Sequence, residues 1–136
     1  MKVFAYRFEP GTDLKQELER VVKENDLKAA VILTCVGSLS KATLRMAGAA
    51  AGKEDVRTYD EELEIASAVG TLSADGLHVH LGLSRTDGSC IGGHLKVGCV
   101  VKTTAEVVIG EVEDIEFLRE DDERTGFKEL KVRLRR

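Results

Sequence analysis

The chain has 136 residues, 43% of them hydrophobic, which is the length and composition of one domain around one core. Twenty basic against 24 acidic residues leave a net charge of −4, and four Phe, two Tyr and no Trp supply few stacking surfaces. Both facts argue against a domain whose main task is to grip phosphate backbones or stack on bases.

No apolar run reaches the ~18 residues of a membrane span. The opening "MKVFAYRFEP" lacks the apolar centre of a signal peptide. Cys35, Cys90 and Cys99 are an odd number with no CxxC spacing, so no disulfide framework is expected. The expectation is a single domain over residues 1–136, soluble and cytoplasmic.

"VFAYRFE" alternates as a first strand, and Pro10-Gly11 turn the chain. "TDLKQELERVVKEND" predicts a helix with Leu14, Leu18, Val21 and Val22 on one face. Thr12 or Asp13 caps its start, Asp13 and Gln16 have capping-box spacing, and Asn25 is a stop. "AAVILTCVGSL" predicts a buried strand ending at Gly37, with "ATLRMAGAA" as the next strand and "AGKEDVRTYDEE" as a loop.

"LEIASAVGTLS" and "LHVHLGLSR" form two strands joined by "ADG", a hairpin signal. "CVVKTTAEVVIGEV" and "IEFL" read as further strands. The acidic stretch "EDIEFLREDDER" is expected to be solvated, and the basic tail "FKELKVRLRR" to be an edge strand whose charges discourage aggregation. The alternative for both is an electrostatic contact with a partner or a neighbouring subunit. Together these elements predict an α+β fold: mainly antiparallel β-sheet packed with one principal N-terminal helix.

All three histidines lie in "GLHVHLGLSRTDGSCIGGHL". Strand alternation turns Leu77, Val79, Leu81 and Leu83 to one side and His78, His80, Gly82 and Ser84 to the other. Two imidazoles on one strand face, about 6.7 Å apart at the backbone, make a two-ligand clip. His94 follows Gly92-Gly93, expected to form a tight turn that carries it back over the strand.

Three histidines with an open water position are the pattern of catalytic zinc, which lowers the pKa of bound water toward ~7. Set against this, a polar-face histidine pair is often surface composition or two satisfied imidazoles. Asp75, Asp87, Glu64 and Glu106 are candidate carboxylate bases, with Asp75 and Asp87 better explained as turn residues. Ser38 and Ser89 lie in glycine-containing turns without a G-x-S-x-G elbow, and "GSCIGG" reads as a turn before an anion cradle.

"VGSLSKATLR", and "LEIASAVGTLSADGLHVHLGLSRTDGSCIGGHLKVGCVVKTTAEVVI" after it, resemble the PPC domain, the plants-and-prokaryotes-conserved domain. The resemblance covers nearly the whole chain and is to the stand-alone prokaryotic type. It implies an antiparallel sheet packed with a helix, a homotrimer, and a metal site at His78, His80 and His94. Arg45 and Glu64 match recurrent family positions and are second-tier site candidates. The family also carries a DNA-binding label, which in plants goes with an AT-hook. This chain has no Arg-Gly-Arg-Pro segment, and "RLRR" is not an equivalent. The expected function is thus a trimer with a three-histidine divalent-metal site, zinc by ligand type. The alternatives are a DNA-binding regulator and an interaction module.

Overall fold

The computed structural model describes residues 1–136. Strand β1 (Lys2–Phe8) leads through a Pro10-Gly11 turn into helix α1 (Leu14–Glu24). Then follow β2 (Ala30–Arg45), β3 (Val56–Tyr59), β4 (Leu63–Ser73), β5 (Gly76–Ser84), β6 (Cys90–Leu95) and β7 (Val100–Glu111). The hairpin β8 (Ile115–Asp121) and β9 (Lys128–Leu134) ends the chain. The α+β expectation holds: all pairings are antiparallel and α1 is the one helix.

The main sheet runs β1-β7-β2-β4-β5-β6, with β3 on β2. β6 also pairs with the end of β2, Leu44 opposite Leu95 and Arg45 opposite His94. Strands β2, β4, β5 and β6 therefore close into a ring. The inner faces meet in one core of 23 buried residues, among them Leu14, Leu18, Val21 and Val22 of α1 and Val79, Leu81 and Leu83 of β5.

Asp13 ties the helix to this frame. Its carboxylate accepts from the Gln16 backbone N–H at 3.0 Å as an N-cap. It also accepts from the backbone N–H of Gly98 at 2.7 Å and of Cys99 at 3.2 Å, across the β6–β7 turn. Asn25 caps the other end, donating to the Val21 carbonyl and the Tyr6 hydroxyl.

Three local expectations need correction. The runs on either side of Gly37 are one 16-residue strand, not two. Gly37 is no terminator: a Cβ there would lie 2.0 Å from the Thr104 carbonyl oxygen, so glycine permits close approach of β7. Register shifts after Ile32, Gly37 and Leu39 bend the strand without ending it. Within the predicted polar loop, Val56–Tyr59 pair with Ala42–Arg45 as β3.

Gly92-Gly93 is not a turn but part of β6. The reversal comes earlier, at residues 85–89, where the Arg85 N–H donates to the Ser89 carbonyl and Gly88 takes φ 84°. The glycine pair serves close packing instead. A Cβ at Gly92 would meet the Leu81 carbonyl oxygen at 2.6 Å, and one at Gly93 the Arg45 carbonyl oxygen at 2.7 Å. Bare backbone lets β6 fit between β5 and β2 and so closes the ring.

The acidic stretch and the basic tail pair with each other in the last hairpin, and the tail also reaches the end of β7. Arg133 bridges to Glu116, Lys131 to Glu120 at 3.1 Å, and Arg135 to Glu111 at 3.9 Å. Phe117 anchors the hairpin, buried and donating its backbone N–H to the Lys28 carbonyl.

Candidate metal centre

Ring closure brings the three histidines together. His80 stands directly opposite His94 in the β5–β6 ladder, and His78 lies two residues along on the same face. The alternate residues Val79, Leu81 and Leu83 are buried, so the register that fills the core also fixes the imidazoles outward.

The Nε2 atoms of His78 and His80 are 3.2 Å apart. Ring centroids lie 4.9 Å apart for His78–His80, 5.2 Å for His78–His94 and 5.8 Å for His80–His94. One nitrogen from each ring falls within 4.8 Å of both others.

This set fits a divalent cation. Two nitrogens on a tetrahedral zinc stand ~3.3 Å apart, given Zn–N bonds of about 2.0–2.1 Å. The His78–His80 pair already has that spacing, and small side-chain rotations close the remainder. Three uncharged nitrogens form a borderline-soft donor set, which suits zinc better than calcium or magnesium.

Two of the rings, His78 and His94, are held toward the neutral form. Burial pushes the His94 pKa down to about 4, and the Arg45 charge and the other two rings add to the effect. His78 is also lowered, by burial first and then by His80 and Arg119, with Glu129 acting the other way. Neutral imidazole is the form that ligates a metal.

Of the second-tier candidates, Arg45 lies beside the three histidines and Glu64 lies apart from them. Arg45 Nη2 lies 3.4 Å from His94 Nδ1. A neutral imidazole has one lone pair, so His94 cannot accept from Arg45 and ligate an ion at the same time. Glu64 pairs with Ser84, four residues along β5 from His80 and hence ~13 Å away. It lines a separate cleft of about 380 Å³ with Ser38, Ser84 and Lys102.

Asp87 is a turn residue, its carboxylate accepting from the Ser89 N–H and hydroxyl. Glu106 sits on β7 opposite Arg7 and Val36. Asp75 is in the β4–β5 turn, but its carboxylate also accepts from the Arg119 backbone N–H at 3.1 Å. It thereby docks β8 beside the histidines.

Sequence reasoning missed the contribution of the last hairpin. Arg119, Phe127 and Glu129 line a cleft of about 260 Å³ with Arg45, His78 and His94. On the other side of the triad, His80 and His94 line a second cleft of about 510 Å³ with Met46 and Phe127. The Phe127 ring lies 5.1 Å from the Arg45 guanidinium carbon, a cation–π contact. Alternation in "FKELKVRL" marks the strand but carries no signal that its first residues reach the imidazoles.

Comparison with known proteins places this geometry in context. A family model described as the Plants and Prokaryotes Conserved (PCC) domain matches residues 1–113. A curated relative, Bifunctional protein GlmU of a Synechococcus strain, is 42% identical over 132 residues, covering 97% of this chain and 20% of its own. The chain spans about a fifth of the length of the curated relatives it matches.

Among solved structures, a hypothetical protein from Salmonella enterica is 37% identical with a TM-score of 0.92, covering 98% of this chain and 94% of that one. A metal-containing protein from Archaeoglobus fulgidus is 28% identical with a TM-score of 0.80, covering 96% and 94%.

Proposed function

The chain belongs to the Plants and Prokaryotes Conserved (PCC) domain family, and from that premise we propose that it holds a divalent cation, zinc by donor set, on His78, His80 and His94. The observation that carries this reading is the convergence of three imidazoles from β5 and β6, two of them with nitrogens 3.2 Å apart. The Archaeoglobus structure, described as metal-containing, supports it. An ion held by three protein ligands keeps an open position for water or a ligand oxygen, and polarises what binds there.

The protein's own residues then set what that position meets. Arg45 must leave His94 Nδ1 when the ring becomes a ligand, and Phe127 keeps its guanidinium close by. Glu129 and Asp75 are the carboxylates in the adjoining cleft. The test is elemental analysis of purified protein, followed by zinc titration against a chromophoric chelator. About one zinc per chain is expected for a filled site, and at least a hundredfold weaker binding in His80→Ala. No zinc uptake, or uptake unchanged in His78→Ala, His80→Ala and His94→Ala alike, sinks the reading.

The same proposal includes assembly as a homotrimer in the cytoplasm. Val3, Leu33 and Val36 are large apolar residues left exposed on β1 and β2, a surface of the kind that subunits cover. Three free cysteines suit a reducing compartment. No helix is long and apolar enough to cross a membrane. Light scattering reads the assembly: a monomer mass at micromolar concentration contradicts it. The second function implied by the family resemblance is duplex DNA binding. It predicts salt-sensitive binding, against which the net charge of −4 weighs, and a flat titration at low salt removes it.

A further inference from the structure

The cleft beside the triad contains two guanidinium groups that make no ion pair, although Asp75 and Glu129 also line it. Arg45 has its one close polar neighbour in His94 Nδ1. Arg119 donates from Nη2 to Thr71 Oγ1 at 2.9 Å and from its backbone N–H to Asp75, leaving Nε and Nη1 without a protein acceptor. Neither forms an ion pair, although Lys131 and Arg133 of the same hairpin do. Both are half-buried, which makes an unpaired guanidinium costly unless something else completes it.

We infer that this cleft, between β5 and the β8–β9 hairpin, receives a small organic carboxylate, its oxygens held by Arg45 and Arg119 and its carbon body against Phe127 and Leu77. The inference rests on the metal reading only in part, because the two arginines and the apolar wall are there without an ion. Guanidinium presents a planar fork that matches carboxylate oxygens. Phe127 and Leu77 give an apolar wall that an inorganic anion does not use. A volume of about 260 Å³ falls below the ~300–1,000 Å³ usual for drug-sized ligands, so the guest is small.

The hairpin that supplies Arg119 and Phe127 begins at Ile115, after the residues matched by the family model. Its anchors are specific: Phe117 packs into the body, Asp75 accepts from the Arg119 backbone and Thr71 fixes the guanidinium. The hairpin is thus a recognition element laid over the candidate metal face.

The experiment uses the full chain, with zinc and without, and three probes: isovalerate, its uncharged counterpart isovaleramide, and inorganic phosphate. Binding is read from NMR shifts of the arginine Nε–H groups and the Phe127 amide, while zinc affinity is measured in parallel with a chelator. Isovalerate is expected to bind with a dissociation constant on the order of a millimolar, fitting a ligand of so few atoms. Isovaleramide should bind at least tenfold more weakly.

Arg119→Gln and Phe127→Ala should each weaken isovalerate binding to the metal-free chain at least fivefold. Arg119→Lys, which keeps the charge and a donor toward Thr71, should recover part of the loss. Equal binding of acid and amide, tighter binding of phosphate, no shift at 20 mM isovalerate, or an unchanged constant in folded Arg119→Gln overturns the inference. Failure of zinc to bind is a separate result, since isovalerate binding to the metal-free chain still tests the two arginines.

Discussion

His94 is the residue on which the proposed site turns, because Arg45 and a bound cation would compete for one lone pair. Arg45 holds the ring's Nδ1 at 3.4 Å, and an ion on that ring must displace it. A hydrogen bond to a charged group is worth about 1.5–3 kcal/mol, reduced here by partial exposure and by the loose 3.4 Å geometry. Arg45→Gln is therefore expected to tighten zinc roughly tenfold, one step of 1.4 kcal/mol, in a chelator competition assay. Weaker zinc binding in that variant would show instead that Arg45 supports the bound state. Cysteine chemistry divides along burial in the same way. Cys35 and Cys99 are pushed up to about 11 by burial, so their thiolates are scarce at neutral pH, while Cys90 is exposed. Iodoacetamide at about pH 8 should alkylate the native chain once, at Cys90. Mass spectrometry finding Cys35 or Cys99 labelled at a similar rate would mean that the β2 or β6–β7 region opens readily.

Among the elements, α1 depends on one carboxylate for both its start and its attachment. Asp13 accepts from three backbone N–H groups, Gln16 within the helix and Gly98 and Cys99 beyond it. An ordinary N-cap loss costs ~0.5–2 kcal/mol, and two further donors left unsatisfied put Asp13→Ala at the top of that range, about 2 kcal/mol. For a chain of this length that lowers Tm by roughly 6 to 8 °C. A fall of less than 2 °C would mean that water replaces the carboxylate without loss. This cap was legible in the sequence, as were the helix face and the outward histidines of β5, because local spacing determines them. The joining of β2 across Gly37 was not, since that glycine reads as a stop until β7 is seen pressing on it. The β6 strand was hidden for a similar reason: Gly92-Gly93 signals conformational freedom locally, while its purpose is contact with strands distant in sequence. Arg119 and Phe127 escaped because the docking of a hairpin on a remote face is a tertiary event. Glu64 shows the converse: it shares the histidines' side of the sheet, yet distance along the strand puts it in another cleft.

For the whole molecule, gathering three imidazoles beside Arg45 and Arg119 makes protonation there unfavourable and the fold sensitive to acid. In the unfolded chain a histidine titrates near its ordinary 6.5, whereas folded His94 takes up its proton only at about 4. His78 is shifted in the same direction. Between those values the unfolded state binds more protons than the folded one, so stability rises with pH there and falls on acidification from about 6.5 toward 4. Below about 4 both states carry the His94 proton and this contribution to the slope ends. The lowered carboxylates, Asp26, Asp87 and Asp122, act below their ordinary 3.8, outside this window. Urea unfolding of chelator-treated protein should show the midpoint dropping from about pH 7 to pH 4.5, and a flatter profile in His94→Asn. An identical slope in that variant would assign the acid sensitivity elsewhere. Zinc should act in the opposite sense, because an ion that binds only the converged rings stabilises the fold by mass action. At free zinc of a hundred times its dissociation constant the gain is about 2.7 kcal/mol. It should vanish in His80→Ala and shrink as protons compete below pH 6. A native chain whose unfolding midpoint ignores zinc at every pH would leave the three imidazoles as a cluster without a guest.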